Sequence, residues 1–424
     1  MKILFLSPYS PIPPNYGAAT RIYQLLKYVS QRHQVTFVFF GSTEETKDLK
    51  EHFPELINIV SVPKPFRMRY RRTSQILNLL GSESYYYASI HSRKFQKVLD
   101  TLCERTEFDL VHYEFPVMAV YNIMGSPIRV LDAHNVEFFN LKRMYQKTTF
   151  GLRKLFYMRE YKLAYKKEVE LCKKLDIILT TSEYDKAKFD KEVPNVAKYV
   201  IPNGVDGEFF APFNREGEPN TLIFTGMMGY MPNDDGMIYF LKQIYPQILK
   251  KVPDLKLYVV GMSPTKELLA YQNDQVVITG KVDDVRPYVE KASVYIVPLR
   301  MGSGTRLKVL EALAMKKPVV TTSIGCEGID VTDNTSVLIK DDPDKFAEAI
   351  IKLLGDRQLQ NQLAEAGYKL IHSKYTWQFV GKHLLSIYDS LEHRNLKLSE
   401  IGANGSETKN VPSDVEAKIE DDKG

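Results

Sequence analysis

The chain has 424 residues, 44% hydrophobic and 26% charged, with a formal net charge of +5; these are globular values, enough for two domains of ordinary size. No apolar run approaches the roughly 18 residues of a spanning helix, and residues 3–6 are too short for a signal h-region. Cys103, Cys172 and Cys326 are odd in number and widely spaced, which excludes a disulfide framework and a zinc site and points to a reducing cytosol.

Residues 3–6 read as a buried strand. Pro8, Pro11, Pro13 and Pro14 then keep the next loop from being helical. A helix begins near Gly17 and carries Ile22, Leu25, Leu26 and Val29 on one face, and residues 35–40 are the next strand. This is the opening of a Rossmann-like half, with Gly17 either a turn glycine or a point where a ligand approaches.

Residues 64–72, KPFRMRYRR, hold five basic residues and no acid, interleaved with Phe66 and Tyr70. Residues 141–175 hold eleven Lys or Arg against three Glu, with Phe150, Leu152, Leu155, Phe156 and Tyr157 among them. Basic and aromatic residues together mark an interfacial segment on an anionic membrane. The same charge attracts nucleic acid, and the plainest reading is a solvated face on one long helix. Residues 109–112 and 128–131 are short strands. The second runs into Asp132-Ala133-His134-Asn135, so His134 lies just past a strand end, where α/β ligand sites form. There it can hydrogen-bond a substrate, donate to a leaving phosphate, or serve structure alone. Residues 177–181 and 198–201 complete the first half.

Pro202-Asn203-Gly204-Val205-Asp206 is a turn, and residues 211–219 are a linker. The second half repeats a strand followed by glycine: residues 221–225 before Gly226, 255–260 before Gly261, and 276–279 before Gly280. Helices are expected over 233–251 and 284–291. Residues 294–297 are a strand, Pro298 ends it, and Gly302-Ser303-Gly304 is a turn. Thr305 is placed to cap a helix through Leu307, Leu310, Glu311 and Ala314, before a strand at 318–321. Such a helix entry can bind phosphate. Arg306 and Lys308 in its first turn oppose the helix dipole, which suggests an anion partner. Glu311 lies one to two turns further in, within reach of a ribose. An ordinary βαβ unit with a solvated basic face fits the same spacing. Helices at 344–354, 359–372 and 377–392 follow, and from residue 395 the polar composition reads as a disordered tail. The fold class is α/β, with two Rossmann-like domains whose parallel sheets face a central cleft.

Four segments, in order, make the chain resemble the retaining glycosyltransferases of family 4, which have the GT-B fold. They are the proline/glycine loop before Arg21, Asp132-Ala133-His134-Asn135, Pro202-Asn203-Gly204-Val205-Asp206, and residues 302–320 ending in Pro-Val-Val. The resemblance covers roughly residues 1–390. The Pro-Leu-Arg and Gly-Thr-Arg-Leu-Lys variant is similar to a bacterial subgroup associated with exopolysaccharide assembly.

The resemblance implies transfer of a sugar from a nucleotide-diphosphate donor to an acceptor hydroxyl, with retention and without a metal or other cofactor. Residues 1–200 would form the acceptor domain and 201–375 the donor domain. Residues 376–394 would be a crossover helix returning to the first domain, and 395–424 the tail. It implies catalytic roles for His134, Arg306 and Lys308, and donor binding by Gly17, Asn203, Gly226, Ser303, Gly304, Thr305, Leu307 and Glu311. Glu311 matches the second glutamate of the family's Glu-x7-Glu, whereas Ser303 stands where the first would be. Residues 226–235 lack the cations the family tends to place there, so Arg306 and Lys308 are expected to replace them. The acceptor is expected to be a lipid-linked or growing saccharide. The expected location is cytoplasmic, peripheral at the inner face of the plasma membrane through 64–72 and 141–175, with no nucleic-acid partner. The rival readings are a non-catalytic GT-B partner protein with a decayed donor site, and a nucleotide-sugar 2-epimerase.

Overall fold

The computed structural model describes residues 1–404 except 15, 71–72, 76–77, 79–80, 150, 214–216 and 303, with the backbone alone for 393–404. The apolar runs form two parallel sheets. In the first half these are β1 (Lys2–Ser7), β2 (Gln34–Phe40), β3 (Asn58–Val62), β4 (Leu110–Glu114), β5 (Ile128–Ala133), β6 (Ile177–Thr180) and β7 (Ala197–Val200). Their spatial order is β3-β2-β1-β4-β5-β6-β7. In the second half they are β8 (Thr221–Thr225), β9 (Lys256–Val260), β10 (Val276–Gly280), β11 (Val294–Val297), β12 (Val319–Thr321) and β13 (Leu338–Ile339), in the order β10-β9-β8-β11-β12-β13. Helices cover both faces of each sheet, which is why the strands read as continuous apolar runs instead of alternating ones. Two core clusters line the faces of the first sheet, and one large cluster holds the second.

The chain crosses between the halves twice, side by side. Val205 N–H donates to the Tyr375 carbonyl at 2.7 Å, and Trp377 N–H donates back to Val205 at 3.1 Å. The last helix, Trp377–Asn404, then lays Trp377, Val380, Leu384, Ile387 and Tyr388 into the core of the first half. The C-terminal helix therefore returns to the first domain, as expected.

Three expectations need correction. The last helix runs on to Asn404, past the boundary expected at 394, with Gly381 and Gly402 within it and no proline; residues 405–424 lie outside the described residues. The basic stretch 141–175 is two helices, Glu137–Lys147 and Leu152–Cys172. Gly151 separates them at φ +120, a backbone that side chains disfavour; Phe150 lies outside the described residues. Thr305 does not cap its helix, which starts at Leu307 with Arg306 in the cap position and no side-chain cap bond. The helices Thr43–His52 and Arg93–Arg105 and the strands β3 and β13 were not anticipated. Among the described residues no helix is long and apolar enough to cross a membrane.

Candidate functional site

In both sheets the strand order reverses between adjacent strands, at β1/β4 and at β8/β11. Open α/β sheets form ligand crevices outside the C-terminal ends of such switch points. Gly226 follows β8, and the loop with Gly302 and Gly304 follows β11. Between them, Lys308 extends from the first turn of the Leu307–Ala314 helix. Its Nζ donates to Asn233 Oδ1 at 2.8 Å and lies 3.8 Å from the centroid of the Phe224 ring. Burial pushes the Lys308 pKa down to about 7, against the pull of Glu311. Burial likewise pushes Glu311 up to about 7, against the pull of Lys308.

Gly226 sits at φ +149, and a Cβ there would stand 2.6 Å from Lys308 Nζ and 2.9 Å from Asn233 Nδ2. Gly226→Ala is thus expected to displace the amine. A donor that uses this lysine should lose about tenfold or more in kcat/KM, because ångström-scale misplacement is costly. Steady-state kinetics on the variant checks this, and an unchanged kcat/KM would separate Lys308 from the donor.

Arg306, expected to meet the donor diphosphate, lies in the glycine loop itself. Its Nη1 donates to the Gly304 carbonyl within its own loop, and the residue is 8% exposed. It braces the glycine turn, whose Gly302 and Gly304 both take positive φ. The Thr305 hydroxyl, expected to cap, is buried with no hydrogen-bond partner among the described residues. Val309 N–H donates to the Arg306 carbonyl at 2.9 Å, so with no side-chain cap it is the two amides before it that can meet another acceptor. Ser303 lies outside the described residues.

The first-domain wall is a buried polar network set among apolar strands. Arg21 forks onto Asp132, with Nε to Oδ2 at 2.8 Å and Nη2 to Oδ1 at 2.7 Å. Its Nη1 reaches the Pro202 carbonyl at 3.1 Å and Asn203 Oδ1 at 3.2 Å. Asn203, expected at the donor, is thereby engaged in tying the first interdomain crossing to the sheet. His134 extends from the end of β5 with Nε2 2.5 Å from Glu114 Oε2, and its ring stacks on Phe115 at 4.0 Å. Glu114 also takes His112 Nε2 at 3.2 Å, and His112 Nδ1 meets the Tyr388 hydroxyl. Ligand atoms of His112, Glu114 and Asp132 lie within 4.8 Å of one another, but the Arg21 guanidinium already occupies the carboxylate that a cation would need.

The walls touch. A Cβ on Gly17 would stand 3.3 Å from Leu307 Cδ1, so this glycine admits a neighbour from the opposite domain. Gly304 packs against Asn135, whose Oδ1 would be 3.0 Å from an added Cβ. Arg143, on the Glu137–Lys147 helix, donates to the Gly302 carbonyl at 3.1 Å and forks onto Glu327 at 3.0 and 2.7 Å. Its guanidinium also lies 4.9 Å from the Phe139 ring centroid. The fold therefore brings Gly17 to Leu307, Gly304 to Asn135 beside His134, and Gly226 to Lys308, which shares its helix with Leu307 and Glu311. Reasoning from sequence missed Arg21, Glu114, His112, Asn233, Arg143 and Glu327 as site residues. The readable signal was a charged or polar residue inside an otherwise apolar parallel strand, as in Leu-Val-His-Tyr-Glu of β4.

The chain matches two family patterns: residues 16–209 match one described as "Glycosyltransferase Family 4", and residues 219–356 one described as "Glycosyl transferases group 1". It is 24% identical over 393 residues to an uncharacterized 44.6 kDa protein in the cps region of Klebsiella pneumoniae, covering 88% of this chain and 96% of that one. It is 29% identical over 204 residues to a capsular polysaccharide biosynthesis glycosyltransferase of Staphylococcus aureus, covering 44% of this chain and 53% of that protein. Among solved structures, sucrose-phosphate synthase from Thermosynechococcus elongatus superposes with a TM-score of 0.69 at 17% identity, covering 93% of this chain and all of that one. Anabaena HepE in complex with UDP superposes with a TM-score of 0.64 at 15% identity, covering 92% of this chain and all of that one. At these identities the structures establish a shared fold, the two-domain α/β arrangement expected from the sequence.

Proposed function

Because the chain belongs to the family 4 glycosyltransferases, we propose that its cleft transfers a sugar from a nucleoside-diphosphate donor to a saccharide hydroxyl with retention, in assembly of a bacterial surface polysaccharide. The observation that carries this reading is the Lys308 amine held against Gly226 at the β8/β11 switch point, beside an uncapped helix N-terminus. As the sugar–oxygen bond breaks, negative charge grows on the departing diphosphate. Lys308 and the first amides of the Leu307–Ala314 helix meet that charge where it develops. Glu311, one turn further along the same helix face, would accept from a ribose hydroxyl. His134 faces the donor from the other wall, and Arg306 and Arg143 hold the glycine loop in shape. Contact between the walls excludes water, which suppresses hydrolysis of the donor.

The test is a thermal-shift panel of nucleotides and nucleotide sugars. Binding to the folded state adds RT ln(1 + [L]/Kd), about 2.7 kcal/mol at a hundredfold excess over Kd. A shift with one diphosphate sugar, reduced in Lys308→Ala, is expected. No shift with any member would favour a non-catalytic partner protein, the reading that Ser303 in place of an acid supports.

The acceptor reading includes a membrane face. Phe66 and Tyr70 are 60% and 55% exposed beside Arg67 and Arg69, and Leu152 and Leu155 are 87% and 57% exposed beside Arg153 and Lys154. The buried face of the Leu152–Cys172 helix instead includes Glu160 and Glu168. An apolar outer face among cations fits an anionic bilayer surface, where a lipid-linked acceptor would be found. The protein is expected to float with vesicles containing anionic lipid at low salt and to be released as salt is raised. Absence from the floated fraction at low salt would remove the membrane from the proposal.

A further inference from the structure

The wall behind His134 contains a chain of four side chains drawn from three places in the sequence. The Tyr388 hydroxyl, on the returning C-terminal helix, meets His112 Nδ1. His112 Nε2 lies 3.2 Å from Glu114 Oε1, and Glu114 Oε2 lies 2.5 Å from His134 Nε2. Tyr388, His112 and Glu114 are fully buried, and His134 is 6% exposed. With Glu114 ionised and both rings neutral, one pattern of protons gives each of these contacts a donor and an acceptor. Burial pushes the Glu114 pKa up, but the hydrogen bonds from His112 and His134 lead the effects that hold the carboxyl below its usual range. An ionised carboxylate only accepts, so both histidines must present Nε2–H to it. A His112 ring that presents Nε2–H and carries no second proton has a lone pair at Nδ1. The Tyr388 phenol, raised well above its usual range by burial, stays protonated and fills that lone pair.

The rings are held in plane as well. Phe5 stacks on His112 at 4.0 Å and 13°, and Phe115 stacks on His134 at 4.0 Å and 26°. Phe115 reaches that position from φ +70, ψ +146, a region costly for any residue with a side chain. Such strain collects where the surroundings require a geometry. Here it falls on the residue that follows Glu114 and covers His134.

We propose that Glu114 is a positioning residue for His134: it fixes the histidine with its proton on Nε2 and leaves Nδ1 as the ring nitrogen that serves the cleft. The Tyr388–His112 pair completes the chain, so that docking of the C-terminal helix sets the state of a cleft residue. This rests on the placing of His134 at the donor in the proposed function, and the two can fail separately.

The test is long-range proton–nitrogen NMR of the full chain labelled with 15N-histidine, with His134 assigned by the loss of its signals in His134→Ala. In the wild type the Nε2 of His134 should bear a proton, whether the ring is neutral or charged. A neutral ring protonated on Nδ1 would overturn the proposal. Glu114→Gln should shift His134 toward the other tautomer and lower kcat about tenfold to a hundredfold, the range seen when an orienting partner is lost, with donor KM changed less than kcat. Unchanged His134 signals in folded Glu114→Gln would overturn it. If Glu114→Gln does not fold, Tyr388→Phe decides. It deletes one hydroxyl at the far end and should move the His112 nitrogen signals, and unchanged signals would break the chain. Full transfer activity in His134→Ala would instead dismiss the catalytic reading of His134 and leave the tautomer result standing.

Discussion

Lys308→Ala is expected to lower kcat by about 10²–10³-fold while the protein remains folded, the cost of removing one preorganised group from a site of developing negative charge. The amine is desolvated beside Phe224 and Gly226, so its interaction with a diphosphate is screened far less than that of a surface lysine. The pH dependence has a definite sign. With its pKa lowered to about 7, the free-state amine is largely neutral above neutral pH, whereas the diphosphate complex favours the ammonium. Donor binding should take up protons above pH 7, and affinity should fall by up to about tenfold per pH unit there. Calorimetry in buffers of different ionisation enthalpy measures that uptake, and Lys308→Ala should abolish it.

The same pair shapes stability. The folded Lys308 pKa lies below the ordinary 10.5, so the unfolded chain binds more protons between about 7 and 10.5, and this group makes stability rise with pH across that window. The folded Glu311 pKa lies above the ordinary 4.5, so its contribution is present below about 4.5 and is lost as pH rises to about 7. Together they place the site's own stability minimum near neutral pH, where donor binding relieves it. Wild-type turnover and an unchanged proton count in Lys308→Ala would remove the lysine from the diphosphate.

Arg21→Ala should have the largest effect on stability, about 3–5 kcal/mol, because it leaves the fully buried Asp132 carboxylate without its partner. The loss extends beyond the ion pair. The same guanidinium holds the Pro202 carbonyl and Asn203, so the variant also loosens the strand exit that leads to the second domain. Arg21→Lys should recover little, since one ammonium cannot span Asp132 in a fork and reach Pro202 as well. Urea unfolding followed by circular dichroism measures the change. A loss below about 1 kcal/mol would show that water or a neighbour compensates Asp132 in the variant.

The strands and turns were legible because they are local. A fully buried parallel strand needs an apolar run of four to six residues, and the segments now seen as β1, β8, β9 and β11 read that way. Gly226 was legible as a strand-to-helix entry. Thr305 was misread because capping depends on where the preceding backbone turns. Gly304, at φ +76, carries the chain past the cap position before the helix begins. The basic segment at 141–175 was legible as charge but not as shape. Its Arg143 belongs to a contact with the opposite domain, with Gly302 and Glu327, 159 and 184 residues away.

By itself the sequence determined two α/β halves, the glycine turns at their strand ends, and the identity of Lys308, Glu311 and His134 as cleft candidates, because backbone preference and hydrophobic period act over a few neighbouring residues. The tertiary structure decided how those residues are held. It paired Arg21 with Asp132 across 111 positions and Tyr388 with His112 across 276, and it turned Arg306 back onto its own loop while bringing Lys308 to Gly226. These outcomes depend on which buried charges meet once the sheets have formed. A charge removed from water is tolerated only with a partner at hydrogen-bond distance, and that partner is chosen by the packing of distant elements.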